Sequence, residues 1–149
     1  MDKRTIGILG LGVFGRSIIN TLRKYNCDII AVDDHEDVIN HFEPILARGV
    51  VGDITDHDLL QAAGIDTCDT VVVATGDNLE SSVLAVMHCK SLGVEKVIAK
   101  VKSKTTRKVL LKVGADRCIS PERETGISLA KNILHQATTD VIELDKNVS

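Results

Sequence analysis

Short apolar runs and amphipathic stretches alternate along this chain from one end to the other. Six largely apolar runs, at 5–9, 28–32, 49–51, 70–74, 96–101 and 117–119, lack the every-second-residue polarity of a half-exposed strand. That pattern belongs to strands covered on both faces of a parallel sheet. Between them, residues 14–25, 36–42, 56–63, 79–92, 105–113 and 122–137 follow helical spacing. Strict alternation predicts an α/β fold with a doubly wound, mostly parallel six-stranded sheet and helices on both faces.

Helix punctuation agrees with that count. Thr55-Asp56-His57-Asp58 reads as a capping box with Asp in place of the usual Glu or Gln. Gly64, Gly93 and Gly114 each follow a helical pattern, where a left-handed C-cap glycine belongs, and the apolar Ile65, Val94 and Ala115 come directly after them. Residues 1–137 are expected to form one domain, with 138–149 a polar tail or the start of a linker to a further domain. Ile127, Ala130, Ile133, Leu134 and Ala137 make an apolar stripe on the last helix. It is suited to burial against its own domain or against a partner.

Composition narrows the class. The chain has 149 residues, long enough for one domain with a real core and too short for a separate substrate domain. With 44% hydrophobic and 26% charged residues and a net charge of −3, it offers no electrostatic case for nucleic acid. No apolar stretch approaches a membrane span and the start lacks a signal-peptide core, so a cytoplasmic location without direct membrane insertion is expected. Cys27, Cys68, Cys89 and Cys118 are scattered without metal-ligand spacing and read as small buried residues in a reducing compartment.

The chemistry begins at Gly10-Leu11-Gly12-Val13-Phe14-Gly15, between the first apolar run and the first helical pattern. In that setting a GxGxxG is a phosphate-binding turn. The first Gly allows the tight bend, the second close approach of a pyrophosphate, the third close packing of helix on strand. Anion binding follows from unpaired N–H groups and the helix dipole. Asp33 ends the second apolar run at about the 20-residue spacing of a ribose-binding acid, so the fold is Rossmann-like and NADP is disfavoured. Asp34 and His35 follow and join the candidate site. Asp34 also suits a solvated turn, and His35 either a nucleotide contact or an exposed helix start.

In such a sheet the ligand crosses the carboxyl ends of the strands. After the third run come Gly52-Asp53-Ile54-Thr55, where Asp53 can accept from an adenine amino group and Ile54 can meet the ring. After the fourth come Thr75-Gly76-Asp77-Asn78, small and polar, suited to sugar and phosphates. Helix capping by Asp53 and Thr55, and a simple turn at Thr75-Gly76, are compatible with the same residues.

Together these segments, with Ala31-Val32-Asp33, Val97-Ile98-Ala99-Lys100, Gly114-Ala115-Asp116-Arg117 and Pro121-Glu122-Arg123-Glu124, resemble the N-terminal nucleotide-binding domain of the Trk/Ktr regulators of potassium transport, also called the RCK or KTN (TrkA-N) domain. The resemblance covers nearly the whole chain. It implies a non-enzymatic, cytosolic gating subunit at the inner face of the membrane. Such a subunit binds NAD(H) or ATP/ADP and dimerises into a larger ring beneath a potassium channel or transporter. It further implies that Lys100 approaches the phosphates and that Glu122 can hold Mg²⁺ or Ca²⁺ there. Glu122 also suits the first turn of a helix without any metal.

One departure stands out. Many family members carry Arg where this chain has Val13, which removes a positive charge at the phosphates. Arg16, Lys102 and Arg117 are other cations expected near that mouth. The competing class is a small NAD-dependent oxidoreductase, whose cofactor signature fits but whose catalytic constellation is not recognisable. A methyltransferase and a DNA-binding redox repressor fit less well, the latter for want of a helix-turn-helix or basic patch.

Overall fold

A computed structural model of the chain describes residues 3–147, with side chains described through residue 138. The strands are β1 (Arg4–Leu9), β2 (Cys27–Asp33), β3 (Arg48–Val51), β4 (Thr70–Val73), β5 (Lys96–Lys100) and β6 (Arg117–Ile119). They alternate with α1 (Val13–Leu22), α2 (Glu36–Phe42), α3 (His57–Ala62), α4 (Leu79–Ser91), α5 (Lys104–Val113) and α6 (Pro121–Asn147). The sheet runs β3-β2-β1-β4-β5-β6 and every pairing is parallel. Each strand returns through a helical crossover, which is why the sheet is parallel throughout rather than mostly so.

Strand pleat sends successive side chains to opposite faces, and both faces are dry. Leu9, Ile30, Val32, Val71, Val73, Val97 and Ala99 pack with α3, α4 and α5 through Leu60, Ala85, Val86, Cys89 and Leu110. Ile8, Ile29, Ala31 and Val72 pack on the other side with α1 and α2 through Ile19, Ile39 and Phe42. This two-sided burial explains the continuous apolar runs. Each fully buried Ile, Leu or Val contributes about 1.5–3 kcal/mol relative to exposure.

Element ends moved where hydrogen bonding overrode periodicity. Helix α1 stops at Leu22 rather than 25, because Lys24 and Tyr25 donate to Thr21 and Leu22 in tightened turns before β2. The capping box is shifted by one residue: Asp56 caps α3 by accepting from Leu59 N–H, while the Thr55 hydroxyl donates to Asp53. Gly64, Gly93 and Gly114 all have positive φ, as their C-cap positions require. Two short 3-10 segments, Glu43–Ile45 and Ile65–Thr67, had no counterpart in the sequence pattern.

One compact unit runs to Ile119 and a second begins at Ser120. The second consists of α6, which continues ten residues past its expected end at 137, so the backbone of 138–147 is helical. Side chains of the expected tail beyond 138, and residues 148–149 altogether, lie outside the described residues. No helix among the described residues is long and apolar enough to cross a membrane.

Candidate functional site

The strand order places a switch point between β1 and β4, from which successive crossovers run outward in opposite directions. A crevice opens at the carboxyl ends of the strands at such a point. Its floor here is the turn after β1. Gly10 has φ +95° and its N–H donates to the Val32 carbonyl. A Cβ at Gly10 would lie 3.2 Å from Thr75 Cβ, which shows how closely the β1 and β4 ends converge. Gly15 is pressed onto the same turn, and a Cβ there would collide with the Gly10 carbonyl oxygen. Nothing lies within 4 Å of a Cβ built at Gly12. The first and third glycines are therefore required by packing, and the second leaves room above the loop.

Helix α1 begins at that open glycine without a side-chain cap or an acidic residue in its first turn. By contrast α3, α4 and α5 are capped by Asp56, Asn78 and Ser103. An uncapped N-terminus presents N–H donors and the positive end of the dipole to an anion.

Asp33, the last residue of β2, is only 8% exposed. Its Oδ1 accepts from Leu11 N–H at 2.7 Å, tying the ribose-acid position directly to the glycine turn. Its Oδ2 accepts from His35 N–H at 2.9 Å and from His35 Nδ1, also at 2.9 Å. The same Nδ1 lies 2.8 Å from Asp34 Oδ1. Carboxylates only accept, so Nδ1 carries the proton. The bond to Asp33, then the charges of Asp34 and Asp33, raise the His35 pKa above its ordinary 6.5.

Gly10, Asp33, Asp34, Asp53, Ile54 and Thr75 line one cleft of about 170 Å³, together with Gly52, Asn78 and Ser81. Asp53 Oδ1 accepts from Thr55 N–H and from the Thr55 hydroxyl, which hold its carboxyl below the usual range. Asn78 belongs to the Thr75–Asn78 segment expected beside the sugar and phosphates, and Ser81 was not foreseen. Asn78 is the α4 N-cap, and its Oδ1 accepts from Ser81 N–H, so one cap brings both to the rim. Neither this cap nor the inward turn of Ser81 was legible in the sequence pattern.

Other expected residues lie outside that lining. Leu11 is buried in the α1–α2 face of the core. Val13 is 80% exposed and Phe14 packs partly into the same core. Lys100 Nζ lies 5.9 Å from the Phe14 ring centroid, a cation–π contact. A Cβ on Gly76 would stand 3.4 Å from the Lys100 carbonyl, so the β4 and β5 ends adjoin. Asp77 pairs with Lys102, which lowers its pKa. Arg16 Nε donates back to the Gly12 carbonyl. Glu122 lies in the first turn of α6, in the second unit. Cys68 and Cys89 are buried thiols whose pKa values burial pushes up to about 12, which keeps them protonated and unreactive.

Larger hollows occur elsewhere. One of about 520 Å³ runs along α1 and α2, and one of about 720 Å³ lies at the amino ends of β1, β4 and β5. Neither combines the switch point with the glycine turn.

The order of the strands, the glycine turn and the buried acid at the end of β2 define a doubly wound domain of the nucleotide-binding type. The family model of the TrkA-N domain matches residues 6–121, and the chain belongs to that family. Over 147 residues, 99% of its length, it is 35% identical to Ktr system potassium uptake protein C of Bacillus subtilis, 66% of which it covers. It is 30% identical over 149 residues to Ktr system potassium uptake protein A of the same organism, covering all of this chain and 67% of that protein. The chain thus spans about two thirds of these relatives. Among solved structures, the GsuK channel bound to NAD superposes with a TM-score of 0.66 at 23% identity, over 79% of this chain and 21% of that one. The TrkA-N domain of the inner membrane protein ybaL from Escherichia coli gives 0.77 at 14% identity, over 88% and 96%. These two likenesses show the fold.

Proposed function

We propose that this chain is the nucleotide-sensing part of a regulatory subunit of a membrane potassium channel or transporter. It binds NAD(H) or ATP/ADP at the switch point and performs no catalysis of its own. The observation that carries this is the joint placement, in a TrkA-N domain, of a buried Asp33 and an uncapped α1 N-terminus around one glycine turn. The potassium-uptake names of the Bacillus relatives supply the partner, and the cytoplasmic face of the membrane is the corresponding location.

The residues fit an adenine nucleotide. Asp33 Oδ1 accepts only from Leu11 N–H and keeps a lone pair for a ribose hydroxyl while still holding the turn, whereas Oδ2 is filled by two bonds from His35 and gains room when the shared Nδ1–H turns to Asp34. Asp34 and His35 border the ribose side, with the His35 Nδ1–H shared between Asp33 and Asp34. Asp53 and Ile54 face the base, and Thr75, Gly76 and Asp77 border the sugar and phosphates. Residues 10–15 and Lys100 take the phosphates, which supply the negative charge that the α1 N-terminus favours. Glu122, in the first turn of α6, offers a carboxylate that would hold Mg²⁺ or Ca²⁺.

Regulation requires a ligand that binds two conformations of the assembly unequally. NAD, ATP and ADP share adenosine and differ beyond it, so the difference must be read at the phosphate mouth. The test is potassium flux through the full-length protein reconstituted with its membrane subunit. Flux should differ between ATP, ADP and NADH. Flux indifferent to all adenine nucleotides contradicts the proposal, and steady NAD-dependent turnover of a small alcohol or keto acid favours an oxidoreductase.

A further inference from the structure

Helix α4 carries a half-buried histidine, His88, whose Nε2 lies 2.8 Å from the main-chain carbonyl of Thr55, 33 residues away in sequence. A carbonyl only accepts, so Nε2 is the protonated donor. The bond leaves α4 and lands on the loop between β3 and α3. Thr55 is the residue whose N–H and hydroxyl both donate to Asp53 Oδ1, at 2.9 and 2.7 Å. The three residues thus form a chain: His88 fixes the Thr55 carbonyl, and Thr55 fixes the Asp53 carboxylate. The His57 ring meets the His88 ring edge-on, with centroids 5.3 Å apart, and limits its rotation. A second bond from the same helix runs to the other cleft wall, where the buried Ser82 hydroxyl donates to the Thr75 carbonyl at 3.3 Å.

We infer that His88 is a positioning residue for base recognition. It touches no ligand, and it holds the Asp53–Thr55 loop in the form that lets Asp53 accept from the 6-amino group of adenine. This rests on the nucleotide-binding function proposed above and adds the residue that sets its base selectivity. A single hydrogen bond from a part-buried histidine to a loop carbonyl is the kind of contact whose loss loosens the loop without unfolding the domain.

The test compares ADP with inosine diphosphate, which carries an oxo group in place of the amino group, by calorimetry on the wild-type protein and on His88→Leu, His88→Asn and His88→Gln. Wild type should prefer ADP. His88→Leu should bind ADP about two- to tenfold more weakly, the range expected for one lost neutral hydrogen bond, and should lose most of the preference. His88→Asn, too short to reach Thr55, should behave like His88→Leu and serves in its place if the leucine variant does not fold. His88→Gln, whose amide nitrogen reaches about as far as Nε2, should restore the preference. Unchanged ADP selectivity in folded His88→Leu or His88→Asn overturns the inference and leaves nucleotide binding standing, as does equal wild-type affinity for the two diphosphates. Failure of wild type to bind either nucleotide removes the underlying function as well.

Discussion

Gly12 and Gly15 stand three residues apart in one turn and answer to different forces. Ala at 15 must displace the Gly10 carbonyl, so Gly15→Ala should lower stability by about 1–3 kcal/mol in chemical denaturation. Ala at 12 meets open space. Gly12→Ala should therefore melt within a few degrees of wild type yet lose nucleotide affinity, because the methyl occupies the approach of the phosphates; full retention of affinity contradicts phosphate binding there. Val13→Arg adds a charge at an exposed position and should strengthen ATP more than AMP, by up to about 1.5–3 kcal/mol for a charge-assisted contact. His35 gives a pH test. Its folded pKa is raised, so the stabilisation from its pairing with Asp33 and Asp34 is full below 6.5 and disappears as pH rises through the folded value. NMR titration should place its midpoint above 6.5 and return it towards 6.5 in Asp33→Asn. At this scale the sequence revealed Asp33 by its spacing. It did not reveal that Leu11 N–H holds Oδ1, because that bond depends on the register of β1 against β2, nor that the turn after β2 folds His35 back onto Oδ2.

Strands and helices were legible because burial on both faces of the sheet writes a continuous apolar run for each strand, broken by punctuated helices. Their ends were less so. Pro44, second residue of the 3-10 turn Glu43–Ile45, ends the α2 pattern, and Asp53 draws the Thr55 hydroxyl away from the capping role its position suggested. The role of α4 was hidden for a related reason: Asn78, Ser82 and His88 act on loops distant in sequence or on the helix end, and helical spacing shows only which residues share a face. Asn78→Ala removes the cap that also sets the cleft rim. It should cost about 1 kcal/mol, seen as a lower denaturation midpoint.

At the scale of the whole molecule, α6 presents Ile127, Leu129, Ile133 and Leu134 exposed, the last two 59% and 68%. Ile127, Ile133 and Leu134 belong to the apolar stripe of the sequence, which suits a contact with a second copy of this chain. Analytical ultracentrifugation should find a dimer, and Ile133→Glu with Leu134→Glu should give a folded monomer; an unchanged sedimentation profile argues against this helix as the interface. Adenine-nucleotide binding through Asp33 is open to calorimetric titration of ADP and of NAD into wild-type protein and Asp33→Ala. Both ligands should bind wild type saturably, and both should weaken together by about tenfold or more in the variant, as loss of a charged acceptor to the shared ribose requires. Absence of binding by either ligand to wild type, or undiminished affinity in Asp33→Ala, would contradict it.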